Sequence, residues 1–203
     1  LGSLLIRVGA GGDAIHFTNF NADDLFGSQP FANIKFDDDT TLTYGELLAR
    51  GFDLFGTDAG ETLFGTVIDD RISGLDGDDR LLGLAGADAL DGGAGNDILE
   101  GGGDGDSYTL SAGQDVAIDL DTGAGETDTL TLIGAPSDYQ FQRDANNIVV
   151  RTLADPASTL TLGNALQARY RIENVTFGDG TVWDFNQTVA NSTLVAPAGG
   201  FTT

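Results

Sequence analysis

Cysteine is absent from the 203 residues, and histidine occurs once, at His16. Without thiols there are no disulfides and no thiolate metal site. A single imidazole leaves a histidine-based transition-metal centre without ligands. Positive charge is scarce too: nine Lys and Arg face thirty-two Asp and Glu, a net −23. Such a field repels nucleic acid and anionic lipid, excludes nucleic acid as a partner, and attracts cations. No segment approaches about 18 consecutive apolar residues, so no membrane span is expected. No N-terminal leader is readable, and a chain starting at Leu1 is expected to be a slice of a longer one. There is no G-x-S-x-G, and no nucleophile–base pair can be assembled. No catalytic residues are assigned, and the chain is read as not itself an enzyme.

Hydrophobic residues make up 40% of the chain, enough for a core, and glycine contributes 30 positions. The glycines recur with a period of nine. From Gly56 the segments GTDAGETLF, GTVIDDRIS, GLDGDDRLL, GLAGADALD, GGAGNDILE and GGGDGDSYT line up. Position one is Gly in each: Gly56, Gly65, Gly74, Gly83, Gly92 and Gly101. Position six is acidic: Glu61, Asp70, Asp79, Asp88, Asp97 and Asp106. Position eight is large and apolar or aromatic: Leu63, Ile72, Leu81, Leu90, Leu99 and Tyr108. A fixed repeat sets the architecture before any other feature does.

Each unit reads as a Gly/Asp turn followed by a very short strand with one inward side chain. Two units make one coil of a solenoid, so the fold class predicted is all-β, a parallel β-roll. Leu63, Leu81 and Leu99 are expected to stack on one sheet, and Ile72, Leu90 and Tyr108 on the other. Stacking places Asp79 near Asp97 and Asp88 near Asp106. Crowded carboxylates repel unless a cation lies between them. Two carboxylates plus turn carbonyls form a hard, oxygen-only site that suits Ca²⁺ better than Mg²⁺. The alternative is that these residues are solvated turn formers, since Asp and Gly are ordinary in turns.

The stretch GGAGNDILE at 92–100 resembles the nonapeptide G-G-x-G-x-D-x-U-x of RTX (repeats-in-toxin, hemolysin-type) calcium-binding proteins at every specified position. The resemblance implies a β-roll holding several Ca²⁺ ions between turns two units apart. Carried over, one site is Leu75, Gly77 and Asp79 with Gly92, Ala94 and Asp97. Another is Leu84, Gly86 and Asp88 with Gly101, Gly103 and Asp106. A third is Gly93, Gly95 and Asp97 with Leu110, Ala112 and Asp115. Asp70, Gly74 and Asp76 complete the candidate metal set. The early units depart from the pattern: Glu61 replaces Asp, and Ala59 and Ile68 replace the position-four Gly. Positive φ is costly at Ile68, so sites using Glu61 or Asp70 are expected to be weaker or empty.

The domains are read as an N-terminal β-rich flank with one short helix (1–50), the roll (51–118), a C-terminal β-rich cap (119–186) and a flexible tail (187–203). The flanks resemble each other. ANIKFDDDTTL at 32–42 parallels ENVTFGDGTVW at 173–183, and IHFTNF at 15–20 parallels LTLGNA at 160–165. Thr43 and Glu46 have capping-box spacing for the helix, and Gly51 is a good stop. The second flank, with IVVRTL, STLTLGNAL and YRIENVTFGDGTVWD, resembles the hemolysin-type calcium-binding-related module that follows RTX repeats. Caps cover the unpaired edges at solenoid ends. The tail is read as a linker or part of a type I secretion signal.

Other motifs carry little. GAGGDA at 9–14 matches G-x-G-x-x-A, but a dinucleotide site needs a helix next, and IHFTNFN reads as a strand. LDTGAG at 120–125 has the D-T-G of aspartic proteases without a second copy. The acidic run at 37–39 reads as a solvated turn, and Asp155-Pro156 as a loop breaker. The resemblance implies a calcium-binding module of a secreted bacterial protein, exported by type I secretion machinery and folding on extracellular Ca²⁺. The alternative is a surface- or polysaccharide-binding module that uses a face of the roll.

Overall fold

The computed structural model describes residues 2–8, 13–20, 25, 27, 32–35, 39–120, 126–144, 146–167 and 171–195, with 2–8 and 13–20 as backbone only. The chain forms two compact units, Leu1–Gly51 and Phe52–Thr203.

In the first unit, β1 (Gly2–Val8) pairs antiparallel with β2 (Asp13–Phe20). A strand thus follows the G-x-G-x-x-A stretch, where a dinucleotide site needs a helix. Next, β3 (Asn33–Lys35) pairs antiparallel with β4 (Thr41–Thr43), which leads into α1 (Tyr44–Leu48). The capping box is present. The Glu46 N–H donates to the Thr43 hydroxyl at 3.2 Å, and the Thr43 N–H donates to the Glu46 carboxylate at 2.8 Å. Gly51, at φ 66°, follows the helix, a conformation that glycine adopts cheaply. In the acidic run, residues 37 and 38 lie outside the described residues, and exposed Asp39 pairs with Lys35 at 2.6 Å.

The second unit is a parallel β-roll. Its strands are β5 (Phe52–Phe55), β6 (Thr62–Phe64), β7 (Asp70–Ser73), β8 (Arg80–Ala85), β9 (Ala89–Asp91), β10 (Ile98–Gly103), β11 (Ser107–Thr109), β12 (Gln114–Ile118) and β13 (Thr129–Leu132). Then come β14 (Tyr139–Arg143), β15 (Ile148–Thr152), β16 (Thr159–Leu162), β17 (Asn174–Phe177), β18 (Val182–Asp184), α2 (Phe185–Asn191) and β19 (Thr193–Leu194). Even-numbered roll strands stack in one sheet, β6-β8-β10-β12, and odd-numbered ones in the other, β5-β7-β9-β11-β13. The pairing is parallel, with Leu63 opposite Leu81, Leu81 opposite Leu99, Ile72 opposite Leu90 and Leu90 opposite Tyr108. The two expected apolar columns are therefore the core, with Leu81, Leu99 and Tyr108 each 0% exposed. Each such burial contributes about 1.5–3 kcal/mol, and one side chain per strand makes the core thin.

The ladders do not stop at 118. β12 pairs in parallel with β16, and β13 with β17. The antiparallel hairpin β14–β15 then widens one sheet, and β18 closes the other. Phe141, Phe177 and Trp183 pack at 4.8–6.2 Å between ring centroids over the end of the core. The expected tail also starts later than 187. Residues 187–191 belong to α2, and Thr193–Leu194 pairs with β14. The helix is held by its own cap: the Gln187 N–H donates to the Asp184 carboxylate at 2.8 Å. Residues 196–203 lie outside the described residues.

The parallel between the flanks is structural. β3–β4–α1 and β17–β18–α2 are both short antiparallel hairpins running into a helix through a capping box. Ile34 faces Leu42 in one, and Val175 faces Trp183 in the other.

Candidate metal centre

Position six builds a ladder through the roll. The backbone N–H of Asp70 donates to Asp88 Oδ1 at 2.8 Å, that of Asp79 to Asp97 at 2.8 Å, and that of Asp88 to Asp106 at 2.9 Å. The Asp97 N–H donates to Asp115 at 3.1 Å, and the Asp106 N–H to Asp128 at 2.7 Å. Each step spans 18 residues except the last, which spans 22. These Asp residues are buried. One oxygen of each carboxylate is thereby fixed, which leaves the other to be accounted for.

The other oxygen divides the units into two kinds. In Asp79, Asp88, Asp97 and Asp106, the Oδ2 atom is buried and has no hydrogen-bond partner. In Asp70, Oδ2 accepts from the Thr66 N–H at 2.6 Å and the Thr66 hydroxyl at 2.8 Å. In Asp115 it accepts from the Ser111 hydroxyl at 3.0 Å. Glu61 is held in the same way by the Thr57 N–H and hydroxyl. An orphaned buried carboxylate oxygen is costly unless something positive meets it.

The turns change with the same division. Leu75 and Leu84 at position two have φ of 77° and 84°, and Gly77, Gly86 and Gly95 at position four lie between 107° and 143°. A leucine there costs about 1–2 kcal/mol. Among the described residues, Thr57, Thr66, Ser111, Ala59 and Ile68 have no positive φ. Position one is glycine for want of space: a Cβ on Gly101 would lie 2.1 Å from Asp106 Oδ2.

Parts of each inferred ligand set lie side by side on neighbouring coils. Leu75 O accepts from the Ala94 N–H at 2.6 Å, and Ala94 O from the Gly77 N–H at 2.7 Å, beside the Asp79–Asp97 step. Gly102 and Gly103 pair with Leu84 and Ala85 beside the Asp88–Asp106 step, where Gly86 and Gly101 also lie. Gly93 O accepts from the Ala112 N–H at 3.0 Å, and Ala112 O from the Gly95 N–H at 2.9 Å, beside Asp97–Asp115. Each of these carbonyls keeps a second lone pair. Leu110 precedes that turn. Gly74 is buried with Gly92 O against it, whereas the Asp76 side chain is exposed and its backbone bridges to Ala94.

Burial pushes the carboxyl pKa of Asp88 up to about 8 and that of Asp106 to about 7, with neighbouring carboxylates adding to the effect. Asp115 rises to about 6, and Asp70 and Asp97 move in the same direction, again chiefly through burial. Two carboxylates about 5 Å apart repel by about 3 kcal/mol at an effective dielectric of about 20. A divalent cation reverses the sign of that interaction. The donor set is oxygen throughout, with orphaned carboxylate oxygens buried against the position-one glycines, and it fits Ca²⁺.

The sequence reading missed Asp119 and Asp128. Asp106, Asp119 and Asp128 each place a carboxylate oxygen within 4.8 Å of the others, and all three are buried. The nine-residue step from Asp106 leads through Asp115 to Ala124, which lies outside the described residues; a four-residue insertion puts the rung at Asp128 instead. The signal for Asp119 was its register, since it falls in the position-one column that holds glycine from Gly56 to Gly101.

A stacked roll with buried, orphaned carboxylates defines the chain as a hard-cation-binding β-solenoid. The family model of the RTX calcium-binding nonapeptide repeat (4 copies) matches residues 55–90 and 82–117, and that of the haemolysin-type calcium binding protein related domain matches 157–187. Residues 55–117 are thus RTX nonapeptide repeats, a calcium-binding module, followed by a haemolysin-type related segment. Among solved structures, the chain is similar to the AlgE6R3 subunit from the Azotobacter vinelandii mannuronan C5-epimerase, a solution structure. The two are 22% identical over 73% of this chain and 84% of that one, with a TM-score of 0.37. The fold here rests on the strand pairing described above. No curated protein matches.

Proposed function

We propose that this chain is a non-catalytic folding module of a secreted bacterial protein, exported through type I secretion machinery and closed by extracellular Ca²⁺. The observation that carries the reading is the set of buried Oδ2 atoms on Asp79, Asp88, Asp97 and Asp106 with no hydrogen-bond partner. Without a cation, their repulsion and the entropy of the repeat's glycines oppose the roll. Low cytosolic Ca²⁺ keeps the chain loose for export; millimolar Ca²⁺ outside suits the weak affinity of extracellular sites. Binding to the folded state alone then drives folding by mass action. The family match supports a calcium-binding role, and RTX repeats are typical of secreted bacterial proteins.

Far-UV circular dichroism during a Ca²⁺ titration to about 10 mM, with Mg²⁺ as control, tests this. A cooperative gain of β signal with Ca²⁺ alone is expected. A roll fully formed in EDTA at neutral pH refutes the folding role. A surface-binding role needs a stripe of exposed rings. Among the described roll residues, Phe55 and Phe64 are exposed but lie on strands of different sheets, and Tyr108 is fully buried.

A further inference from the structure

The column of position-one glycines ends at Asp119. The pairing of β10 with β12 sets Glu100 opposite Ile118, so Asp119 follows Ile118 as Gly101 follows Glu100. In the lower coils nothing larger than hydrogen fits: a Cβ on Gly83 would lie 2.2 Å from Asp88 Oδ2, and one on Gly101 would lie 2.3 Å from the Tyr108 hydroxyl. At the last coil a carboxylate occupies that column. It is anchored rather than adrift. The Gly101 N–H donates to the Tyr108 hydroxyl at 3.0 Å, and that hydroxyl donates to Asp119 Oδ1 at 3.3 Å. Asp119 Oδ2 is buried without a hydrogen-bond partner, as is Asp106 Oδ2, while the side chain of Asp119 is 1% exposed.

We infer that Asp106, Asp119 and Asp128 form a further cation site where the roll meets its cap, sharing Asp106 with the Asp88–Asp106 step and bringing three carboxylates together in place of the two that meet between turns elsewhere. Its ligand class is a hard divalent or trivalent cation, Ca²⁺ above Mg²⁺, because the carboxylates come from three separate points of the backbone and leave a flexible, oxygen-only shell. Affinity in such sites rises with the number of charged ligands, so this site fills before the inter-turn sites. The tyrosine is part of the device: it fixes Asp119 and lies one hydrogen bond from the ion. The inference rests on the calcium-binding reading of the roll and not on calcium-driven folding.

Tb³⁺, a luminescent hard cation that takes Ca²⁺ sites, is the probe, together with Ca²⁺ calorimetry on the full chain. Wild type is expected to show tyrosine-sensitised Tb³⁺ emission in its tightest step, and Y108F to lose most of it while binding as many ions. D119N is expected to weaken that one step by about tenfold or more and leave the others in place. D119G, which restores the glycine of the column, is expected to do the same if D119N fails to fold. D79N is the control: it removes an inter-turn ligand from the Asp79–Asp97 step, which shares no residue with the junction site, and keeps the emission. If no variant or wild type binds any ion, the calcium-binding reading itself fails. If wild type binds Ca²⁺ but gives no emission that Y108F removes, or if D119N or D119G leaves every step unchanged, the junction site is overturned.

Discussion

Glu61, Asp70 and Asp115 differ from Asp79, Asp88, Asp97 and Asp106 by one neighbouring hydroxyl. At the two ends of the roll, Thr57, Thr66 or Ser111 stands at position two and fills the second carboxylate oxygen from within the chain. In the middle, that position holds Leu75, Leu84, Gly93 or Gly102 at positive φ, and the oxygen is orphaned. The middle turns combine a left-handed position two with an orphaned buried oxygen, whereas at Asp70 and Asp115 the carboxylate is equally buried but a hydroxyl fills that oxygen. Orphaned oxygens that call for a cation thus lie in the central repeats and at the junction with the cap, whereas the coils of Asp70 and Asp115 fill theirs from within the chain.

The sharpest way to break this comparison is to remove an orphaned carboxylate and a satisfied one. Asp97→Ala is expected to raise the Ca²⁺ midpoint of folding by about tenfold or more, while Asp70→Asn moves it by no more than about twofold. Circular dichroism titrations of the two variants read this directly.

A smaller effect follows from protonation. The pKa of Asp88 in the folded chain lies near 8, above its ordinary value of 3.8, so the folded state holds more protons between those limits. Stability of the metal-free roll is therefore fully present at low pH and is lost as pH rises towards about 8. In Ca²⁺-free buffer, the β signal at pH 5 is expected to exceed that at pH 8. Protons compete for the same oxygens, so the Ca²⁺ midpoint rises as pH falls; titrations at both pH values check this.

Thr66→Val tests the other side. It leaves Asp70 Oδ2 without the hydroxyl and should cost about 1–3 kcal/mol, read by urea unfolding without Ca²⁺ at pH 5, and it raises the Ca²⁺ midpoint of folding only through that lost stability, with the number of ions bound unchanged. The smallest effect is at Leu75, which is 41% exposed at φ 77°. Leu75→Gly removes the left-handed penalty and is expected to stabilise the Ca²⁺-bound roll by about 1 kcal/mol.

Much of the roll was legible because one residue type per column serves one purpose. Leucine at position eight has only the core to face, and glycine at position one has a carboxylate against it. The division between filled and orphaned oxygens was only half legible. Ala59 and Ile68 marked the early turns as different, but the part played by Thr57 and Thr66 depends on hydroxyl placement, which no periodicity reports. Beyond 118 the arithmetic fails. The partner of Gln114 is Thr159, because the β14–β15 hairpin is inserted before the next coil. Apolar columns continue there through Leu162 and Val175, but their spacing no longer carries the period. The helix over 187–191 was hidden by a Ser/Thr/Ala-rich composition that packing overrode. The D-T-G stretch falls on 121–123, outside the described residues.

The carboxylate ladder has a direction. Along one row the position-six N–H groups donate towards the next coil, from Phe52 to Asp70, Asp70 to Asp88, Asp88 to Asp106 and Asp106 to Asp128. The row ends when the Asp128 N–H donates to the Glu173 carboxylate of the cap, at 3.0 Å. Cutting at the start exposes acceptors that water or a cation can serve. Cutting at the end removes Glu173, the acceptor of the Asp128 N–H, together with the aromatic cover of the core. Shortening the roll from its first coil is therefore tolerable, shortening it from its last is not, and lengthening it works only by insertion between the two.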